Sequence, residues 1–143
     1  MGLDTTHDAW HGAYSAFSRW RDTLAEAAGY TFHEIEYGRR LVDLDWGGIE
    51  AVIGHDLLGR WPRIPARHDG TPDPLILLLA HSDCEGELQV EFHDPLAERL
   101  EGLLPKLEGK EGGGHIGSYV EKTEQFIAGL RRAAAANEPV GFH

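Results

Sequence analysis

The sequence predicts an α+β domain in which about three main helices pack on a small mixed β-sheet. Three observations carry this expectation. Apolar residues recur at helical spacing in the first 28 residues and again in the last 30 or so. A run that is apolar on both faces, Leu75 to Ala80, lies between them and reads as a central strand. Short segments with period-two alternation flank that run. At 143 residues the chain fits one domain of ordinary size, residues 1–143.

The elements follow in order. A helix is expected from about Thr6 to Ala28, with Asp4, Thr5 and Thr6 as cap oxygens, Asp8 in the first turn and Gly29 as the stop. Trp10, Ala13, Tyr14, Phe17, Trp20, Leu24 and Ala28 form its apolar face. TFHEIEY and RLVDLDW alternate around Gly38-Arg39 and suit a hairpin. IEAVIGHDLL reads as a short helix weakened by Gly54. Residues 62–74 are rich in proline and glycine and form a loop. PLILLLAH follows as the central strand, and LQVEFH pairs back on it through Asp83-Cys84-Glu85-Gly86.

Asp94-Pro95 opens a second long helix as a cap followed by proline at the first position. Leu96, Leu100, Leu103, Leu104 and Leu107 form its buried stripe, with Pro105 kinking or ending it. Residues 108–117 are a glycine-rich loop. The last helix, SYVEKTEQFIAGLRRAAAANE, turns Val120, Thr123, Ile127, Leu130 and Ala134 to the core, and EPVGFH adds an edge strand.

Composition narrows the function. Thirteen basic residues against twenty-four acidic ones give a formal charge of −11, which repels phosphate backbones and disfavours general nucleic-acid binding. The longest apolar run is far short of a membrane span, so no membrane partner is expected. A single cysteine cannot close an internal disulfide, which fits a reducing cytoplasm. A small-molecule ligand or substrate is the expected partner, with a homo-oligomer left open.

Three clusters concentrate reactive side chains. His7 and His11 lie four residues apart, one turn from each other on the flank of the expected first helix, and can share a metal ion. Tyr14, Ser18 and Arg21 continue that flank. HSDCEGE places His81, Ser82, Asp83, Cys84 and Glu85 where the central strand would end, a frequent location for ligand chemistry. Histidine, cysteinate and carboxylate are all zinc ligands. EGGGHIGSY leads three glycines and His115 into a helix capped by Ser118, a nest for a phosphate or carboxylate. Each has a plainer reading: boundary histidines, a polar turn with a buried cysteine, and a connector.

The segments HDAWHGAYSAFSRWR, HSDCEGEL and GGGHIGSY with TEQFIAGLRRA resemble a set of small bacterial or phage-borne proteins of no assigned function. The resemblance covers the first 28 residues and most of 73 to 136, and it implies no activity, cofactor or catalytic residue.

The leading expectation is a metal-assisted hydrolase, with zinc as the metal, acting on a small polar or phosphorylated substrate. His7, His11, His81, Asp83 and Cys84 supply ligands, Glu85 is the general base and His115 steadies a developing oxyanion. The alternative is a non-catalytic module for a small anionic metabolite or nucleotide. There Tyr14 and Trp10 form a stacking wall, Arg21 pairs with charge, and Gly113, Gly114 and Ser118 cradle phosphate. A thiol enzyme with Cys84 as nucleophile is a third reading. All three require the clusters to share one crevice.

Overall fold

The computed structural model describes residues 2–30, 32–35, 38–41, 73–79, 81, 85–110 and 118–143. Within them the chain is α+β: three long helices and one short one pack with short antiparallel strand pairs.

The chain starts with strands, not with the expected helix. β1 (Gly2–Asp4) pairs with β2 (His11–Ala13) in the register Gly2↔Ala13, Leu3↔Gly12, Asp4↔His11. A single 3₁₀ turn, Thr6–Asp8, joins them, and His7 and Asp8 take left-handed backbone angles there. Thr5 sets this turn, its Oγ1 accepting the Trp10 amide at 2.8 Å. His7 and His11 are therefore not one helical turn apart. The physical reason is visible in retrospect. Gly12 weakens a helix by about 1 kcal/mol, and Asp4, Thr5 and Thr6 favour local turns. Strand pairing then supplies the backbone bonds that a first helical turn would leave open.

α1 begins only at Tyr14 and runs to Ala27, burying Phe17, Trp20, Leu24 and Ala25. It stops as expected at Gly29, whose φ of 88° lets Tyr30 N–H reach Ala25 O and Gly29 N–H reach Glu26 O. β3 (Phe32–Ile35) and β4 (Gly38–Leu41) form the expected hairpin, although the register Ile35↔Gly38 puts Gly38 and Arg39 in the second strand. The expected helix IEAVIGHDLL and most of the 62–74 loop lie outside the described residues.

The expected central strand is a helix. α2 (Leu75–Leu79) buries Leu75, Ile76, Leu77 and Leu78, with Asp73 Oδ1 capping Leu75 N–H at 3.0 Å. An apolar run of this length suits a buried helical turn as well as a strand. Asp73-Pro74 decides it, a side-chain cap followed by proline. The hairpin partner expected for this run is lost with it. Of LQVEFH only Leu88 is in a strand, β5 (Glu87–Leu88), and it pairs with β6 (Val140–Gly141) near the end of the chain. Val90–Phe92 turns as 3₁₀ into α3 (His93–Leu107), where Leu96, Ala97, Leu100, Leu103 and Leu107 are buried and Pro105 sits in the last turn. The helix expected to open at Asp94-Pro95 begins instead at His93, after Phe92, so Asp94 lies within its first turn and is not its cap.

α4 (Tyr119–Ala136) is capped by Ser118, whose side chain accepts the Val120 amide, and it ends at left-handed Asn137. Thr123 and Leu130 are buried as expected, but Phe126 and Ala133 take the central positions given to Ile127 and Ala134. The small residue Gly129 permits the closest approach, since a Cβ there would lie 2.4 Å from Ala9 Cβ. Arg131 clamps α4 to α3 through Asp94 at 2.6 Å and Glu101 at 3.1 Å, which holds its guanidinium above the usual arginine range.

The two ends of the chain meet. Asp4 and His143 exchange both backbone hydrogen bonds, at 2.8 and 2.9 Å, Thr5 bridges Phe142, and Phe142 N–H donates to Gly86 O. The strands therefore run β2, β1, β6, β5 across the molecule. One face buries Leu3, Leu88, Val140 and Phe142; Asp4, His11 and His143 are exposed. Beneath lies an aromatic core in which Trp10 stacks on Trp20 at 5.0 Å and Trp20 meets Phe126 at 5.1 Å.

Candidate functional site

The antiparallel register places Asp4 directly opposite His11, so their side chains share the exposed face of the pair. Asp4 Oδ1 contacts His11 Nδ1. An ionised carboxylate only accepts hydrogen bonds, so the ring carries its proton on Nδ1 and, when neutral, keeps a lone pair on Nε2. The imidazole is 76% exposed and the carboxylate 54%. As a salt bridge such a pair contributes at most about 1 kcal/mol. As chemistry it is an oriented base or ligand. His143 lies on the other side of Asp4 through the backbone pairing described above.

The turn after α2 approaches the same small sheet from β5. His81 is buried and stacks on Phe142 at 4.0 Å between ring centroids. Gly86, at φ 91°, packs against it, and a Cβ there would stand 3.3 Å from His81 Cε1. Arg21 fastens this turn from α1. Its Nη1 donates to the carbonyls of Leu78 and Leu79, each at 3.3 Å, and of His81 at 2.5 Å, while the guanidinium lies 4.4 Å above the Phe17 ring. Glu85 is exposed. Asp83 and Cys84, the other expected ligands of this turn, lie outside the described residues, as do His115, Gly113 and Gly114.

His7 stands apart from His11, its carbonyl held by Arg132 Nε at 3.2 Å and Nη2 at 2.5 Å. Tyr14 is the first residue of α1, half-buried against the core. Ser118 spends its oxygen on capping α4. Among the described residues, no three His, Cys, Asp or Glu side chains converge where they could hold a metal ion. No helix among them is long and apolar enough to cross a membrane.

Three buried residues carry polar roles that the sequence does not single out. Asp73 is 1% exposed and saturated: Tyr30 Oη donates at 2.6 Å, Arg99 Nε at 3.1 Å and Nη2 at 3.3 Å, and Leu75 N–H at 3.0 Å. His93 is fully buried, Nε2 donating to Leu88 O at 3.0 Å while Nδ1 has no partner, and desolvation by burial pushes its pKa below the usual histidine value. Trp10 buries an indole N–H that also lacks a partner. Of these, only Asp73 carried a local signal, the Asp-Pro cap.

No protein family, curated protein or solved structure matches the chain.

Proposed function

We propose that the chain is a metal-assisted hydrolase, with zinc the expected metal, acting on a small polar or phosphorylated substrate through His11. The observation that carries this reading is the Asp4–His11 pair. A carboxylate behind one ring nitrogen fixes the orientation and tautomer of a histidine, as the partners of metal-bound histidines do. Phe142, just past β6, donates its N–H to Gly86 O, so Glu85 lies one residue from a backbone contact with the strands that lead to His11. Asp83 and Cys84, which precede Glu85 in sequence, would add to the ligand set; a zinc ion held there would supply a Lewis acid, with Glu85 in reach as the general base. His81, stacked on Phe142, shapes the turn in this reading.

Elemental analysis of untagged protein after dialysis against zinc tests it. One metal ion per chain is expected; His11→Ala should lose it, and Asp4→Asn should weaken its binding by about 10- to 100-fold. Wild-type protein that takes up no metal, or His11→Ala protein that keeps it, overturns the reading. The non-catalytic alternative loses some of its original support, because Arg21 and Ser118 are engaged by backbone groups.

A further inference from the structure

We infer that Arg21 is a positioning residue for the proposed site. From α1 it clamps the segment between His81 and Gly86, whose sequence carries Asp83, Cys84 and Glu85. It acts through His81 and Phe142 and is itself no ligand. This role deepens the zinc reading and rests on it.

The first observation is where the Arg21 charge is spent. Its Nη1 donates to three backbone carbonyls, those of Leu78 and Leu79 at 3.3 Å each and of His81 at 2.5 Å. A helix as short as the five-residue α2 leaves its last carbonyls without partners of its own, and Arg21 supplies one from another helix. Hydrogen bonds from a charged donor are roughly twice as strong as neutral ones. The exit from α2 is therefore held by α1.

The second is that these bonds close a circuit of side chains. Arg21 and Phe17 lie four residues apart on α1, and the guanidinium carbon stands 4.4 Å from the Phe17 ring centroid. The Phe17 ring meets Phe142 edge-on at 6.1 Å, and Phe142 stacks on His81 at 4.0 Å. The His81 carbonyl leads back to Arg21. Phe17, Phe142 and His81 are all buried, so the rings that link the guanidinium to the sheet are packed in place.

The third is that the far end of the segment is tied to the same circuit. Phe142 N–H donates to Gly86 O at 2.9 Å. The His81 ring lies against Gly86, where an added Cβ would stand 3.3 Å from Cε1. His81 and Gly86 are thus both fixed, one from α1 and the other from the strand end beyond β6. Residues 82 to 85 join them, and the exposed Glu85 is the immediate neighbour of Gly86. A short stretch of chain between two fixed ends has few conformations open to it.

Hydrogen exchange of the intact protein, read by mass spectrometry, tests the clamp, with a calorimetric zinc titration as a second arm. Arg21→Met keeps most of the stem and removes the donors. It should speed exchange in the peptide spanning residues 75 to 88 about tenfold, while α4 keeps wild-type protection. It should also weaken zinc binding about tenfold. Arg21→Lys carries three donors on a charged head and should restore most of both. Should Arg21→Met fail to fold, Gly86→Ala loosens the clamp from its other end and should speed exchange in the same peptide. Unchanged exchange in both variants overturns the proposal, as does exchange raised equally throughout α4, the mark of a general stabiliser. Faster local exchange with unchanged zinc affinity overturns the role at the site. Wild-type protein that takes up no zinc overturns the metal reading instead, and the exchange comparison still decides whether Arg21 holds the segment.

Discussion

Trp10 and Trp20 lie against each other with ring centroids 5.0 Å apart, and both are essentially sealed from solvent. Trp20, inside α1, donates its indole N–H to Thr123 Oγ1 on α4 at 2.9 Å, and Thr123 passes its own proton to the Tyr119 carbonyl at 2.7 Å. Trp10, on the segment before α1, donates to nothing. The same contrast separates two carboxylates. Asp73 takes hydrogen bonds from a tyrosine, an arginine and a backbone amide, whereas Asp4 holds one histidine at the surface. Trp20 and Asp73, set among the packed helices, spend their polar groups on the structure. Around β1 and β2, the Trp10 N–H is buried without a partner and the Asp4–His11 pair stands exposed at the surface.

Three experiments break or sharpen this contrast. The largest effect is expected at Asp73. Asp73→Ala leaves the Arg99 guanidinium half-buried without its carboxylate and should lower the free energy of unfolding in urea by about 3–5 kcal/mol. A loss below 1 kcal/mol, in line with an exposed pair, would mean that the cluster is no firmer than Asp4–His11. Next is Thr123→Val, nearly unchanged in shape, which strands the Trp20 N–H and should cost about 1–3 kcal/mol in the same assay. Trp10→Phe should cost much less by comparison, and equal losses would erase the distinction between the two indoles.

The smallest effect is expected from His93, which is half-satisfied. Burial holds its folded-state pKa below the ordinary 6.5, so the unfolded chain binds a proton that the folded chain resists. Its stabilising contribution is complete above that value and is lost as pH falls through 6.5 toward the folded pKa. The slope it adds is at most about 1.4 kcal/mol per pH unit. Unfolding curves between roughly pH 7 and pH 5 should show it, and His93→Leu should flatten it. An unchanged slope in that variant would place the acid sensitivity elsewhere.

Much of this architecture could be read from the chain. The body of α1, its stop at Gly29, the Leu96, Leu100, Leu103 and Leu107 stripe of α3 and the Ser118 cap are all legible there; a strand near the C-terminus is too, though it lies between β1 and β5 and not at an edge. The errors have specific causes. Trp10 fits the helical spacing of Tyr14 and Phe17, yet it is buried from an extended segment, because periodicity records which side chains are apolar and not which backbone presents them. The run LILLL carries no period, and the cap at Asp73-Pro74 was passed over in favour of its β-like composition. At the candidate site, the sequence points to His11 but reads Asp4 as a helix cap. Their pairing depends on the register of two three-residue strands.

By itself the sequence determined the α+β class, the acidic surface and the three long helices, because a helix of fourteen residues or more writes its buried face into local spacing. Only the tertiary structure decided that the chain's two ends share a sheet, that Asp4 orients His11, and that Trp10 is buried without an acceptor. Strands of two or three residues have too little intrinsic preference to announce themselves. They exist because distant partners supply their hydrogen bonds, and no local pattern records where those partners will be.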